Sequence, residues 1–142
     1  MEHLIKLFDE NKKLVKAGGV IVREYNGQKE VLLISYDKKS YSFPKGHVET
    51  DNSLEKETVR ECFEETGLKT RVIKELPTLE YRNTETDDNI IIHFFHMEVI
   101  GGELKKEFED VDLKWVPIDS AEDIFDYPNL KEYIRLIKNL LV

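Results

Sequence analysis

The residues of this 142-residue chain with the greatest chemical potential are the glutamates of one short segment, Glu57, Glu61, Glu64 and Glu65. On a helix, positions i, i+3 and i+4 share a side, so Glu61, Glu64 and Glu65 can point at one spot, with Glu57 one turn earlier. Two readings follow. One is the solvated face of an amphipathic helix, in which Arg60 pairs with Glu57 or Glu64. The other is a cation site, because hard divalent ions such as Mg²⁺, or Mn²⁺ in its place, take oxygen ligands and keep waters and phosphate oxygens as the rest of their shell.

The elements that must position these acids are legible in part. Asn52 or Ser53 can cap the helix, and Gly67 stands where a left-handed residue would end it. Leu54, Thr58, Val59, Cys62 and Phe63 occupy one half of the helix wheel, and Glu57, Glu61 and Glu64 gather on the other. Upstream, strands are expected at 17–23 and 30–36 around an Asn26-Gly27 hairpin turn. A polar loop, 37–40, and a short apolar piece, 41–43, lead to Pro44-Lys45-Gly46. Downstream, strands are expected at 68–76, 79–82 and 90–100, the last broken by Gly101-Gly102 and preceded by a turn at 85–89. A strand at 113–118 and helices at 121–125 and 130–141 complete the chain. At the start, Leu4, Ile5 and Phe8 suit a short helix face, while 9–12 suits a turn, and both stay open. Hairpins together with helix-separated strands give a mixed sheet with helices on its faces, an α/β or α+β class.

Composition narrows the function. Twenty-one Lys and Arg against 29 Asp and Glu leave a formal charge of −8. That argues against duplex nucleic acid as a partner, which needs a concentrated basic face. A polyanionic small molecule would need recruited cations. The single cysteine, Cys62, leaves no internal disulfide and no multi-cysteine metal site. Apolar runs such as 31–34 and 90–92 are too short to span a bilayer, and the opening Met1-Glu2-His3 lacks the base of a secretory signal. The expectation is one cytoplasmic domain over 1–142, with no membrane association, as a monomer or homodimer.

Gly46, Arg60, Glu61, Glu64, Glu65, Gly67 and Leu68 stand at the intervals G-x5-E-x7-R-E-U-x-E-E-x-G-U, with U a bulky aliphatic, and match seven of nine specified positions over 46–68. The chain therefore resembles the Nudix hydrolases. The resemblance implies a mixed β-sheet sandwiched between helices. It also implies a metal-dependent pyrophosphohydrolase cutting a phosphoanhydride in a nucleoside diphosphate linked to a further group. In that family pattern Glu64 and Glu65 hold Mg²⁺, Glu61 is a ligand or the base, Arg60 orients Glu61 by a bidentate pair, and Gly46 lets backbone approach the metal and phosphates. A fourth carboxylate often arrives from a later loop, for which Glu109 is the first candidate and Glu107 the second.

Two positions depart from the pattern. Cys62 replaces an aliphatic and packs much like one. Asn52 replaces the first Glu, with Glu49 nearby in the same loop as a compensating acid. The run Phe43-Pro44-Lys45-Gly46-His47-Val48-Glu49 resembles the lead-in of the diadenosine tetraphosphate hydrolases of that family. Lys45 and His47 would then meet phosphate, and Tyr81, Tyr127 or Tyr133 would stack on adenine. The leading substrate is thus a dinucleoside polyphosphate. Nucleoside triphosphates, nucleotide sugars and RNA 5′ ends are the alternatives, and a non-catalytic nucleotide-binding module is the reading that Asn52 suggests.

Overall fold

The computed structural model describes residues 8–48 and 53–141. Asn26 and Gly27, both at positive φ, form the tight turn that the right-handed twist of a hairpin prefers. The turn joins β1 (Leu14–Tyr25) to β2 (Gln28–Ser35), with Tyr25 opposite Gln28. Then come β3 (Tyr41–Ser42), β4 (Lys45–His47), α1 (Leu54–Thr66), β5 (Leu68–Glu75), β6 (Leu79–Asn83), β7 (Asp88–Gly102), β8 (Asp112–Pro117), α2 (Ile118–Ile124) and α3 (Pro128–Ile137). The strands form one mixed sheet in the order β3-β2-β1-β7-β5, with β4 on β1, β6 on β7 and β8 on β2. The β1–β7 pairing is parallel, and Leu14 is matched to Ile90.

Alternation along the central strands sends side chains to opposite faces. Val20, Ile92 and Phe94 pack with Phe125, Tyr133, Ile134 and Ile137 of the α2–α3 layer. Ile21, Phe95 and Met97 pack with Cys62 on the α1 side. The sheet is therefore covered by helices on both faces, the mixed α+β architecture expected. Phe43 anchors the first core edge-on, its ring 5.4 Å from Phe94 and 5.2 Å from Phe125. Truncating such a ring costs about 3–5 kcal/mol.

Several expectations change. β1 begins at Leu14 because parallel pairing with β7 orders residues that carry no local strand signal. At the start, Asp9 Oδ1 accepts from the amides of Asn11 and Lys13, which makes the turn at 9–12; Leu4 and Ile5 lie outside the described residues. Gly101 and Gly102 do not break β7 but end it, still paired with Lys69 and Leu68. The last helix stops at Ile137 and tightens into a 3₁₀ turn at Lys138–Leu140. Among the described residues no helix is long and apolar enough to cross a membrane.

Candidate active site

The helix α1 starts where Ser53 caps it, with its Oγ accepting from the Lys56 amide, and ends where Gly67, at φ 78°, donates its amide to the Phe63 carbonyl. Asn52 and Glu49, weighed as departure and compensation, lie outside the described residues. The helix wheel does not divide as expected. Phe63 is exposed, whereas Glu57 and Glu65 are buried with 5% and 7% of their surface accessible. A solvated acidic face is thereby excluded for those two. Thr58 and Thr66, also buried, donate their hydroxyls back to the Leu54 and Cys62 carbonyls, which removes their own burial cost.

Arg60 organises the acids. Its guanidinium donates to Glu57 Oε2 at 2.7 Å, Glu64 Oε1 at 2.8 Å and Glu61 Oε1 at 3.1 Å. Arg60 thus forks to three acids, Glu61 among them, and these bonds, that to Glu57 foremost, hold it firmly in its charged form. The fork also explains why Glu61, Glu64 and Glu65 do not share one point. Glu64 turns outward to Arg60, its side chain about half exposed. Glu65 turns inward to accept the Tyr36 hydroxyl on Oε1. Among the described residues no three His, Cys, Asp or Glu side chains close a metal cage.

Glu61 and Glu65 nevertheless remain electrostatic neighbours. Burial is the main cause that lifts the Glu65 carboxyl to about 8; the Tyr36 hydrogen bond opposes it, and the charges of Glu61 and Glu107 add to it. Glu65 Oε2 is buried with no hydrogen-bond partner, a state that costs about 1–3 kcal/mol when nothing compensates. Gly46 presses its backbone so close to Glu61 that a Cβ there would strike the carboxylate. An orphaned buried oxygen, a second acid in a glycine cradle and an all-oxygen donor set suit Mg²⁺. That ion needs only one or two protein carboxylates and draws the rest of its shell from water and phosphate. The loop after β7 is tied over the end of α1 by the Lys105 amide donating to the Thr66 carbonyl at 2.8 Å. This brings Glu107 within electrostatic reach of Glu65. Glu109 instead is 91% exposed and lies 3.7 Å from Lys106.

The lead-in to α1 becomes β4, stitched antiparallel to β1 with Gly46 opposite Ala17 and Lys45 opposite Gly18. Neighbouring strand residues face opposite ways. Gly46 consequently meets Glu61 on the α1 face while Lys45 enters a cleft of 570 Å³ on the other. Lys16, Tyr36, Tyr81, Arg82 and Tyr127 also line this cleft. Burial, followed by the charge of Lys16, pulls the Lys45 ammonium down to about 8, against the pull of Glu65. His47 is half-buried on β4, in register with Lys16. Tyr133 is not in the cleft: only 2% exposed, it packs in the core and donates its hydroxyl to the Pro77 carbonyl at 2.5 Å. Tyr36 and Lys16 are the residues that sequence reasoning passed over. Tyr36 stands just past the end of β2 and Lys16 lies inside β1, and neither belongs to a periodic pattern that would mark it.

The chain matches the NUDIX domain family model over residues 14–137. MutT4 of Mycobacterium tuberculosis is 32% identical over 136 residues, which cover 88% of this chain and 54% of that protein. The ADP-ribose pyrophosphatase of Methanocaldococcus jannaschii is 35% identical over 104 residues, covering 69% and 59%. The chain thus spans little more than half the length of these curated relatives. A C. elegans Ap4A hydrolase, solved as a binary complex, shares the fold with a TM-score of 0.73 at 24% identity, covering 89% of this chain and 96% of that one. With the domain match running from the start of β1 to the end of α3, the chain belongs to the Nudix family.

Proposed function

We propose that this chain is a divalent-metal-dependent pyrophosphohydrolase that cleaves a phosphoanhydride in a nucleotide, with a dinucleoside polyphosphate such as diadenosine tetraphosphate as its leading substrate. The observation that carries the reading is the pairing of Glu61 in its Gly46 cradle with the partnerless Oε2 of Glu65, one strand away from a lysine-bearing cleft. Glu65, with Glu61 or Glu64, would hold Mg²⁺ or Mn²⁺, Glu64 only on turning away from Arg60, and Glu107 is favoured over Glu109 as the further acid because of its reach to Glu65. When bound, such an ion neutralises phosphate oxygens and lowers the pKa of water. Glu61 either completes the ion's ligands or accepts the proton of the attacking water, and Arg60 restrains its carboxylate. Lys45 supplies positive charge to the polyphosphate that a −8 chain otherwise repels. Tyr81 and Tyr127 offer ring faces to a base.

The lysine-bearing lead-in favours the dinucleoside reading. A nucleotide sugar is the second reading, favoured by the identity to a relative named for ADP-ribose. Initial rates on diadenosine tetraphosphate, ADP-ribose, nucleoside triphosphates and a capped RNA decide between them, and a clear preference for any of the last three removes the first choice. Glu61→Gln should lower turnover by at least a hundredfold with an almost unchanged melting temperature. No phosphate release from any member of the panel, at any Mg²⁺ or Mn²⁺ concentration, would leave a nucleotide-binding module instead.

A further inference from the structure

Tyr36 stands just beyond the end of β2 and joins two parts of the molecule that the family pattern treats separately. Its ring lines the cleft, with the Lys45 ammonium 6.0 Å from the ring centre. Its hydroxyl reaches through to α1 and donates to Glu65 Oε1. Glu65 therefore has one oxygen fixed and the other, Oε2, buried without a hydrogen-bond partner. An unrestrained glutamate has three rotatable bonds and would spread both oxygens over several rotamers.

We propose that Tyr36 is a positioning residue: its hydroxyl locks Glu65 so that Oε2 is the oxygen offered to a divalent cation, while its ring walls the nucleotide cleft. The inference rests on the metal-dependent reading above and adds to it a residue outside the acidic helix. Outer partners that orient a metal-ligating carboxylate are worth about ten- to hundredfold in metal affinity. Because one side chain serves both regions, its hydroxyl and its ring are separable by substitution.

The test is a titration of the substrate-free protein with Mn²⁺, reading free ion by electron paramagnetic resonance, for wild type, Tyr36→Phe, Glu65→Gln and the double variant. Tyr36→Phe should weaken Mn²⁺ binding at least tenfold, and it should weaken it no further in the Glu65→Gln background. In turnover the Phe variant should need more Mg²⁺ yet keep its KM for nucleotide, whereas Tyr36→Leu, which loses the ring, should raise KM as well. Tyr36→His, which keeps a ring and an N–H donor, should bind Mn²⁺ more tightly than Tyr36→Leu, and this comparison carries the test if a melt finds Tyr36→Phe unfolded. Unchanged Mn²⁺ affinity in Tyr36→Phe, equal losses with and without Glu65, or equal affinity in the His and Leu variants would overturn the positioning role alone. Wild-type protein that binds no Mn²⁺ would overturn both this role and the metal-dependent reading.

Discussion

The carboxylate of Glu61 lies where the Cβ of any residue but glycine would have to sit at position 46. The clash is with the far end of a flexible side chain, so the fold can absorb it and the carboxylate cannot keep its place. Gly46→Ala should therefore lower kcat about a hundredfold, the usual result of misplacing a reacting group by an ångström. Its melting temperature should stay within a few degrees of wild type. A variant that is fully active, or one that unfolds, contradicts this account.

Arg60 gathers Glu57, Glu61 and Glu64, and Glu57 is buried. Removing the guanidinium leaves three carboxylates repelling one another. Arg60→Met should lose at least tenfold in kcat and several degrees of melting temperature. Arg60→Lys should recover little of either, because one ammonium cannot reproduce a planar fork. Recovery to near wild type by lysine would mean that the fork geometry is irrelevant.

Between pH 4.5 and 9 the stability of the metal-free protein is shaped by Glu65 and Lys45. Burial raises Glu65 from 4.5 to about 8, so between those values the folded chain holds a proton that the unfolded chain has released. Stability from this group falls as pH climbs across that interval. Burial lowers Lys45 from 10.5 to about 8, so above 8 the unfolded chain holds an extra proton and this group adds stability, until above pH 9 the buried Cys62 thiol, which keeps its proton in the folded chain, opposes it. Thermal melts in EDTA should fall from pH 4.5 to 8 and level off between 8 and 9, where Lys45 offsets the loss. Glu65→Gln should flatten the fall and Lys45→Met should remove the levelling, and a profile unmoved by either substitution would sink the assignment.

Tyr133 and Tyr127 separate core from cleft. Tyr133→Phe forfeits the hydrogen bond to Pro77 and should cost about 1 kcal/mol of stability with no change in KM. Tyr127→Ala, at an exposed position lining the cleft, should raise KM several-fold with little change in melting temperature. Calorimetry and steady-state kinetics on the two variants check both statements.

Local features are legible along the chain: the capped helix bounded by Gly67, the Asn26-Gly27 hairpin, the order of acids around Arg60, and the mixed-sheet class. Helix ends, tight turns and the 3.6-residue period depend on neighbours in the chain, so they can be read there. Which of those acids are buried depends on packing between distant segments. The wheel placed Phe63 inward and Glu57 outward, but the sheet and β4 approach α1 from a direction that covers Glu57 and Glu65 and leaves Phe63 in solvent. Tertiary structure also ties the loop that carries Glu107 and Glu109 over the end of α1, through one backbone hydrogen bond from Lys105 to Thr66. In the same way it seated Tyr133 in the core and joined Tyr36 to Glu65, 29 positions away. Such contacts are set by strand pairing between distant segments, and no periodicity within either segment records them.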